Sequence, residues 1–330
     1  MKPEDLLARA RGFMESRILL SGAELDLFTL LAPAPLTAEE VWQRIGARAP
    51  TLRALTMLLD ALCALGLLDK QEGRYRTAAD AAPLAADAPG SVLPMVLHAA
   101  GLWRTWSELT SIVRERGAPA TPSSERRGPR DLEAFIGAMH VVGRPVAARI
   151  AAEVDPGKAR ALLDVGGATG TYSEAFLAAS PALRATIFDL PPVIELARAR
   201  LEQAGLLDRV TLVAGDYHED PLPAGHDLAL LSAVIHSNSP EQNLALYRKV
   251  HDALEPGGRV VIRDHVMEPE RTSPRAGAIF AINMLVGTAG GGTYTYGEIK
   301  DGLEQAGFSR VRLLQKGERM DGLVEAFKPA

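Results

Sequence analysis

The chain is poor in the features that mark several protein classes. Its 330 residues include a single cysteine, so no disulfide forms within it, which fits a reducing compartment. Cys63 sits in an apolar helical run, LTMLLDALCALGLL, with no histidine nearby, and reads as a small core residue rather than a nucleophile. No apolar stretch approaches the roughly 18 residues that span a bilayer. The charged, amphipathic start, MKPEDLLARARGFMESR, lacks the continuous apolar segment of a secretory signal. Histidine, cysteine, aspartate and glutamate nowhere cluster at metal-ligand spacing, so no metal is expected. Basic residues are not in excess: the formal net charge is −5, a poor basis for binding nucleic acid or an anionic membrane. Internal repeats and long low-complexity segments are also missing. What remains is a globular protein expected in the cytoplasm, with 47% hydrophobic residues and enough length for two domains.

The first third reads as helical. In DLLARARGFMESRILLSGAELDLFTLL, apolar residues recur at helical spacing. LTAEEVWQRIG then offers Thr37 as an N-cap with Glu40 three residues on, a capping box. After a break at Ala49-Pro50, TLRALTMLLDALCALG is a second helix ending at Gly66, and LLDKQEGRYRTA supplies two short strands around a Glu-Gly turn. Helix, helix and hairpin make a winged helix-turn-helix, which serves DNA binding in some proteins and packing or dimerisation in others. The second helix is apolar nearly all round, with only Arg53 standing out, whereas a groove-reading helix needs polar side chains and cations. Packing is the reading it favours. Residues 94–118 read as another helix, TPSSERRGPR as a loop, and DLEAFIGAMHVVGRPVAARIAAEVD as a helix leading onward.

From about residue 158 the pattern changes. Short apolar runs alternate with amphipathic helices, which implies a parallel sheet covered on both faces, wound with right-handed crossovers. Ligands bind such sheets at the carboxyl ends of the strands. The first run ends in LLDVGGATG (162–170), with Asp164, Gly166, Gly167 and Gly170. The second ends at Asp189, the third at Asp216, and the fourth runs through Ser232 to His236. Asp189 follows Gly170 by 19 residues, the spacing at which an acid accepts bonds from ribose hydroxyls. Asp216 suits an adenine amine, and Tyr217 suits stacking on its ring. The dinucleotide fingerprint G-x-G-x-x-G fails at its first position, where Val165 stands. Three carboxylates also suit a cationic ligand better than a pyrophosphate. S-adenosylmethionine, with an adenosine, an ammonium and a sulfonium, matches these features.

With these residues in place, nearly the whole chain resembles the S-adenosylmethionine-dependent O-methyltransferases related to the plant caffeate enzymes and the bacterial polyketide O-methyltransferases. LLDVGGATG is similar to the family's cofactor loop, and FDLP (188–191) to its ribose-binding signature. GDY with the following LPAGHDLALLSAVIH is similar to its adenine-binding and catalytic segment. The resemblance implies a doubly wound, Rossmann-like α/β methyltransferase domain (158–330). A mainly helical, winged-helix dimerisation domain (1–95) and a helical linker and pocket segment (96–157) precede it. It implies a homodimer, with no nucleic-acid or membrane partner. By the same resemblance Gly166, Asp189, Asp216 and Tyr217 match cofactor-binding positions, and Leu190 and Ser232 lie beside the cofactor. His236 matches the catalytic base and Asp264 the acid that orients it. Trp106, Met139, Asn283 and Met284 fall in segments that line the acceptor pocket. Asp164, Gly167, Phe135 and His140 complete the candidate set. Two stretches depart from the family pattern: His236 is followed by Ser237-Asn238 rather than Asp-Trp, and Thr293 stands where a second orienting glutamate is usual.

The expected chemistry is in-line attack on a sulfonium methyl. A phenol ionises near pH ~10 and an imidazole near ~6.5, so a neutral histidine can take the acceptor's proton as the methyl transfers. The acceptor expected is small and aromatic. Two alternatives stay open from sequence: N- or C-methylation, or non-methylating chemistry, on the same fold, and a winged-helix DNA-binding regulator.

Overall fold

The computed structural model describes residues 2–46, 51–122 and 128–330. The expected break at Ala49-Pro50 and residues 123–127 of the TPSSERRGPR loop lie outside the described residues. The chain forms two compact units. One comprises Met1–Arg104 with Gly128–Val141, the other Thr105–Arg127 with Val142–Ala330.

In the first unit, the apolar opening run forms three helices, Pro3–Arg11, Phe13–Glu24 and Leu27–Leu31. Asp26, at φ +52°, turns the chain between the second and third. The capping box exists as read: Glu40 N–H donates to Thr37 Oγ1 at 3.2 Å, and Thr37 N–H to Glu40 Oε2 at 2.8 Å, opening the helix Ala38–Arg44. Leu55, Leu59 and Leu62, spaced four and three apart, form the buried face of the helix Leu52–Ala64. Leu68–Gln71 and Arg74–Thr77 pair as a hairpin, and Leu36–Thr37 adds a third short strand against the latter. Residues 94–118 are not one helix. Leu93–Trp106 ends where Glu108 N–H bonds back to Thr105 O, three residues earlier, which breaks the α-helical register. A single turn, Leu109–Ser111, and a π-helical turn, Ile112–Arg116, follow it.

The second unit is built on a seven-stranded sheet. Its strands are β1 (Ala161–Val165), β2 (Arg184–Asp189), β3 (Val210–Ala214), β4 (His226–Ser232), β5 (Leu254–Asp264), β6 (Ser309–Gln315) and β7 (Gly322–Phe327). Their order is β6-β7-β5-β4-β1-β2-β3. The order reverses between β1 and β4, the switch point at which a doubly wound sheet opens a crevice. One strand corrects the parallel reading: β7 runs antiparallel to both β6 and β5. Only residues 316–321 join β6 to β7, too few for a helical crossover, so the two form a hairpin.

Successive residues of the central strands point to opposite sides. Leu163, Val165, Ala229, Leu231, Val260 and Ile262 belong to one core cluster, while Leu162, Leu228, Leu230 and Val261 belong to the other. The first is covered by the helices Pro240–Ala253 and Tyr296–Gln305, the second by Thr171–Ala179, Pro191–Gln203 and the end of Pro129–Val154. One helix, Arg275–Gly287, has no counterpart in the sequence reading: its segment, RAGAIFAINMLVG, is apolar on nearly every side, so it shows no amphipathic period.

Candidate active site

The turn after β1 explains its glycines. Gly166 (φ +67°), Ala168 (φ +48°) and Gly170 (φ +76°) all adopt left-handed backbone. A Cβ on Gly170 would lie 2.7 Å from Ile187 Cδ1, and one on Gly167 2.8 Å from Asp164 Cγ. The turn therefore lies flat on β1 and β2 and leads straight into the helix Thr171–Ala179. Asp164 lies beneath it, only 1% exposed, and accepts from Ser173 Oγ at 2.6 Å. Burial pushes its carboxyl up to about 6.

Asp189 sits at the end of the adjacent strand. Its two oxygens accept the Ala168 N–H at 2.9 Å and the Leu190 N–H at 2.7 Å, which ties the glycine turn to β2. Burial raises its pKa, and the two backbone donors oppose that rise. A carboxylate has about four acceptor sites, so two remain for a vicinal pair of hydroxyls, and the residues present fit an adenosine ribose. Leu190 follows as the N-cap residue of the helix Pro191–Gln203, its side chain 46% exposed. Asp216 lies just past β3, where Oδ1 accepts from His218 N–H at 2.8 Å. Tyr217 packs against the core cluster on the β1–β4–β5 face and donates its hydroxyl to Asn238 Oδ1 at 3.3 Å. Burial pushes the Tyr217 phenol up to about 12.

His236 lies in a short 3-10 turn after β4, and Asp264 ends β5. Both are buried, and His236 Nδ1 meets Asp264 Oδ1 and Oδ2 at 3.0 and 2.9 Å. Burial alone would raise the Asp264 pKa, but His236 and the His265 N–H more than offset it, and the carboxyl lies below its ordinary value. An ionised carboxylate only accepts, so the imidazole proton sits on Nδ1 and Nε2 carries the lone pair. Nε2 has no hydrogen-bond partner among the described residues. Phe280 presents a T-shaped contact to the ring at 4.8 Å.

The two stretches that depart from the family pattern pack around the turn that carries this histidine. Asn238 is fully buried. It accepts from Tyr217, donates Nδ2 to Asn243 Oδ1 at 3.1 Å, and offers its carbonyl to the Tyr294 hydroxyl. Gly292 N–H donates to His236 O at 2.9 Å, and a Cβ on Gly291 would lie 2.4 Å from that same oxygen. The GGGTYT stretch therefore closes on the His236 backbone. Thr293 is buried there, its carbonyl taking a bond from Arg271 at 2.9 Å.

Among the acceptor candidates, Trp106 Nε1 donates to Asn283 Oδ1 at 2.9 Å, and Met284 is buried on the same helix as Asn283. Phe135, Met139 and His140 lie on the helix Pro129–Val154 within the first unit, where Phe135 packs against His98 with ring centroids 5.2 Å apart. Ser232 ends β4, and its Oγ accepts from Arg263 at 3.2 Å. Sequence reasoning passed over Arg263, Tyr172 and Phe280, and met Asn238 only as a departure from the family pattern. Arg263 had one visible signal, a cation in the apolar strand run VVIRD.

Comparison with known proteins decides the family. An O-methyltransferase domain model matches residues 106–309, more than half of the chain, and an O-methyltransferase dimerisation domain model matches residues 7–87. The chain belongs to the O-methyltransferase family. It is 35% identical to the 3-hydroxy-5-methyl-1-naphthoate 3-O-methyltransferase of Streptomyces sahachiroi, over 95% of this chain and 91% of that protein. It is also 35% identical to the tetracenomycin polyketide synthesis 8-O-methyl transferase TcmO of Streptomyces glaucescens, over 94% of this chain and 92% of that protein. A solved structure of PigF with SAH superposes at a TM-score of 0.88 with 27% identity, covering 99% of this chain and 100% of that one. This O-methyltransferase uses S-adenosylmethionine, on a Rossmann-like domain that follows a helical dimerisation domain. Among the described residues no helix is long and apolar enough to cross a membrane.

Proposed function

We propose that the enzyme methylates a hydroxyl group on a small aromatic natural product, with His236 as general base. The observation that carries this reading is the buried His236–Asp264 pair, which fixes the ring tautomer and leaves Nε2 as a proton acceptor. When bound, S-adenosylmethionine supplies an electrophilic methyl group on a sulfonium centre. Asp189 and Asp216 accept bonds from its ribose and adenine, Tyr217 stacks on the adenine, and Gly166, Gly167, Leu190 and Ser232 line its remaining length. His236 takes the acceptor hydroxyl proton at Nε2, and Asp264 stabilises the imidazolium that forms. Trp106, Asn283 and Met284 form one wall of the acceptor pocket, the Trp106–Asn283 bond setting the ring's angle. The names of the relatives, a hydroxynaphthoate enzyme and a tetracenomycin enzyme, support a fused or substituted phenol as acceptor.

The enzyme acts as a homodimer. Leu6, Leu7, Phe13, Met14 and Met57 of the dimerisation domain are each more than half exposed in the single chain. A second copy removes such apolar side chains from water. The test of function is methyl transfer to a panel of phenols, catechols and hydroxynaphthoates, read by mass spectrometry, with wild type and His236→Ala in parallel. Methyl ethers that vanish with the substitution, while S-adenosylmethionine still binds, are the expected result. Equal turnover by His236→Ala overturns the base assignment. Sedimentation as a monomer at micromolar concentration overturns the dimer.

A further inference from the structure

The carboxyl end of the sheet carries two polar groups on opposite sides. Asp264 shares the side of Val260 and Ile262, with Tyr217 and the His236 turn. Ser232 and Arg263 share the other side with Leu228, Leu230 and Val261. Arg263 is only 6% exposed. Its Nη1 donates to Ser232 Oγ at 3.2 Å, and its guanidinium lies 4.7 Å over the Tyr172 ring. Nε is buried without a partner, and Nη2 makes no hydrogen bond among the described residues. The Tyr172 hydroxyl is also buried near Ser232 without a hydrogen bond of normal geometry.

Two carboxylates act on Arg263 from nearby, and both are committed elsewhere. Asp264 is taken by His236 and the His265 N–H. Asp321 is taken by Arg149 at 3.0 Å and by the Arg319 N–H at 3.0 Å. Among the described residues the buried guanidinium hydrogen-bonds one neutral hydroxyl and neither of these carboxylates, and leaving its Nε unpaired is costly in the folded state. Tyr172 stands at the second position of the helix that the glycine turn opens, so cation, phenol and Ser232 converge beside that turn.

We propose that Arg263, with the hydroxyls of Tyr172 and Ser232, is the receptor for the α-carboxylate of S-adenosylmethionine. The inference rests on the reading that the methyl donor lies at the carboxyl ends of β1 and β4. Asp164 projects to the same side of the sheet as Ser232 and Arg263 and brings negative charge there for the donor's ammonium group. The two faces of the sheet end divide the work: one recognises the donor's amino-acid end, the other moves the acceptor proton. Arg263 is a binding and specificity residue, with no part in proton transfer.

The experiment is titration calorimetry with S-adenosylmethionine and with decarboxylated S-adenosylmethionine, which lacks only the carboxylate. Wild type, Arg263→Met, Arg263→Lys and Tyr172→Phe are compared. Loss of a charge-assisted hydrogen-bonded pair is worth roughly 10- to 100-fold in affinity. Arg263→Met is expected to weaken S-adenosylmethionine by about that factor and to leave the decarboxylated ligand within about threefold of wild type. Arg263→Lys retains part of the preference, and Tyr172→Phe, with its ring kept, loses several-fold for the intact ligand alone. Parallel weakening of both ligands assigns Arg263 a structural role and overturns the proposal, as does undiminished binding of S-adenosylmethionine by Arg263→Met. If Arg263→Met fails to fold, Arg263→Lys and Tyr172→Phe decide by the same ratio. Wild type that binds neither ligand refutes the donor site itself, a failure distinct from a lost preference.

Discussion

Replacing Asp264 with asparagine changes the imidazole without changing its surroundings much in size. In the native protein two carboxylate oxygens lie 3.0 and 2.9 Å from His236 Nδ1, with Asp264 only 1% exposed. An asparagine amide at that place presents an N–H to Nδ1. The imidazole answers by moving its proton to Nε2, and the atom that should accept the acceptor's proton becomes a donor. The imidazolium formed during proton transfer also loses a buried counter-charge. A charge-assisted hydrogen bond is worth about 1.5–3 kcal/mol, or roughly 10- to 150-fold, and loss of general-base catalysis about 10²–10⁴-fold. Asp264→Asn is therefore expected to lower kcat at pH 7 by about 10²–10⁴-fold, with S-adenosylmethionine affinity held within about threefold.

The pH profile separates this mechanism from simple damage. An acceptor phenol ionises by itself near pH ~10 and then needs no base. The deficit of Asp264→Asn narrows as pH rises from 7 to 10, whereas a misfolded or acceptor-blind variant shows a constant deficit. Asp264→Ala leaves room for water and imposes no wrong tautomer, so it is expected to retain more activity than Asp264→Asn. Initial rates followed by mass spectrometry over this range, with calorimetry for the donor, supply the test. A kcat for Asp264→Asn within threefold of wild type at pH 7 refutes the tautomer argument.

Four further outcomes follow from the geometry. Gly170→Ala places a methyl 2.7 Å from Ile187 Cδ1 at φ +76°, and chemical denaturation should show a loss of about 1–3 kcal/mol; an unchanged midpoint contradicts the packing of the turn. Asp164, pushed up to about 6 from 3.8, holds its proton to higher pH in the folded state than in the unfolded one. Its effect on stability is nil below pH ~4 and grows to a loss of about 3 kcal/mol as pH rises past ~6. Denaturant unfolding without ligand should therefore show Asp164→Asn gaining about 2 kcal/mol relative to wild type between pH 4.5 and 7.5, and a pH-independent difference argues against it. Thr37→Ala removes the acceptor of the Glu40 N–H and should cost about 1 kcal/mol of dimerisation-domain stability by thermal unfolding, with methyl transfer intact. Trp106→Phe removes the bond to Asn283 and should raise the acceptor KM several-fold with donor affinity unchanged; a change in donor affinity alone places Trp106 outside the acceptor wall.

How much of this was legible in the sequence depends on the range of each constraint. The alternation of RALLDVGG, RATIFDL and RVTLVAGD with amphipathic helices is local, so the strands and the order of their polar ends could be read directly. The capping box at Thr37 is equally local, and the structure reproduces it. Segments without a period were harder. The all-apolar Arg275–Gly287 hides its helix, and the break near Ser107 depends on one hydrogen bond that composition does not encode. The reversal of β7 was readable in principle, since six residues cannot cross a sheet, but the alternating pattern pulled the reading toward parallel strands. Asn238 was visible only as a missing Asp-Trp pair. Its role needs Tyr217, Tyr294 and Asn243, which the chain brings from three other places.

Arg263 and Asp264 show where local reading stops. They are neighbours in sequence and both are buried, yet strand alternation sends them to opposite sides of the sheet. Asp264 arrives on the side of His236, where the family pattern already pointed. Arg263 arrives beside Ser232 and Tyr172, one from the adjacent strand and the other from the helix after the glycine turn. Shifting this strand by one residue would exchange the two, placing a cation against the imidazole and a carboxylate where an anion receptor is proposed. The register of β5 against β4, Ser232 beside Arg263, therefore places Asp264 against His236 and the Arg263 cation on the opposite face. A change that slips this register should abolish donor binding and methyl transfer together, whereas substitutions at His236 or Arg263 alone should separate them.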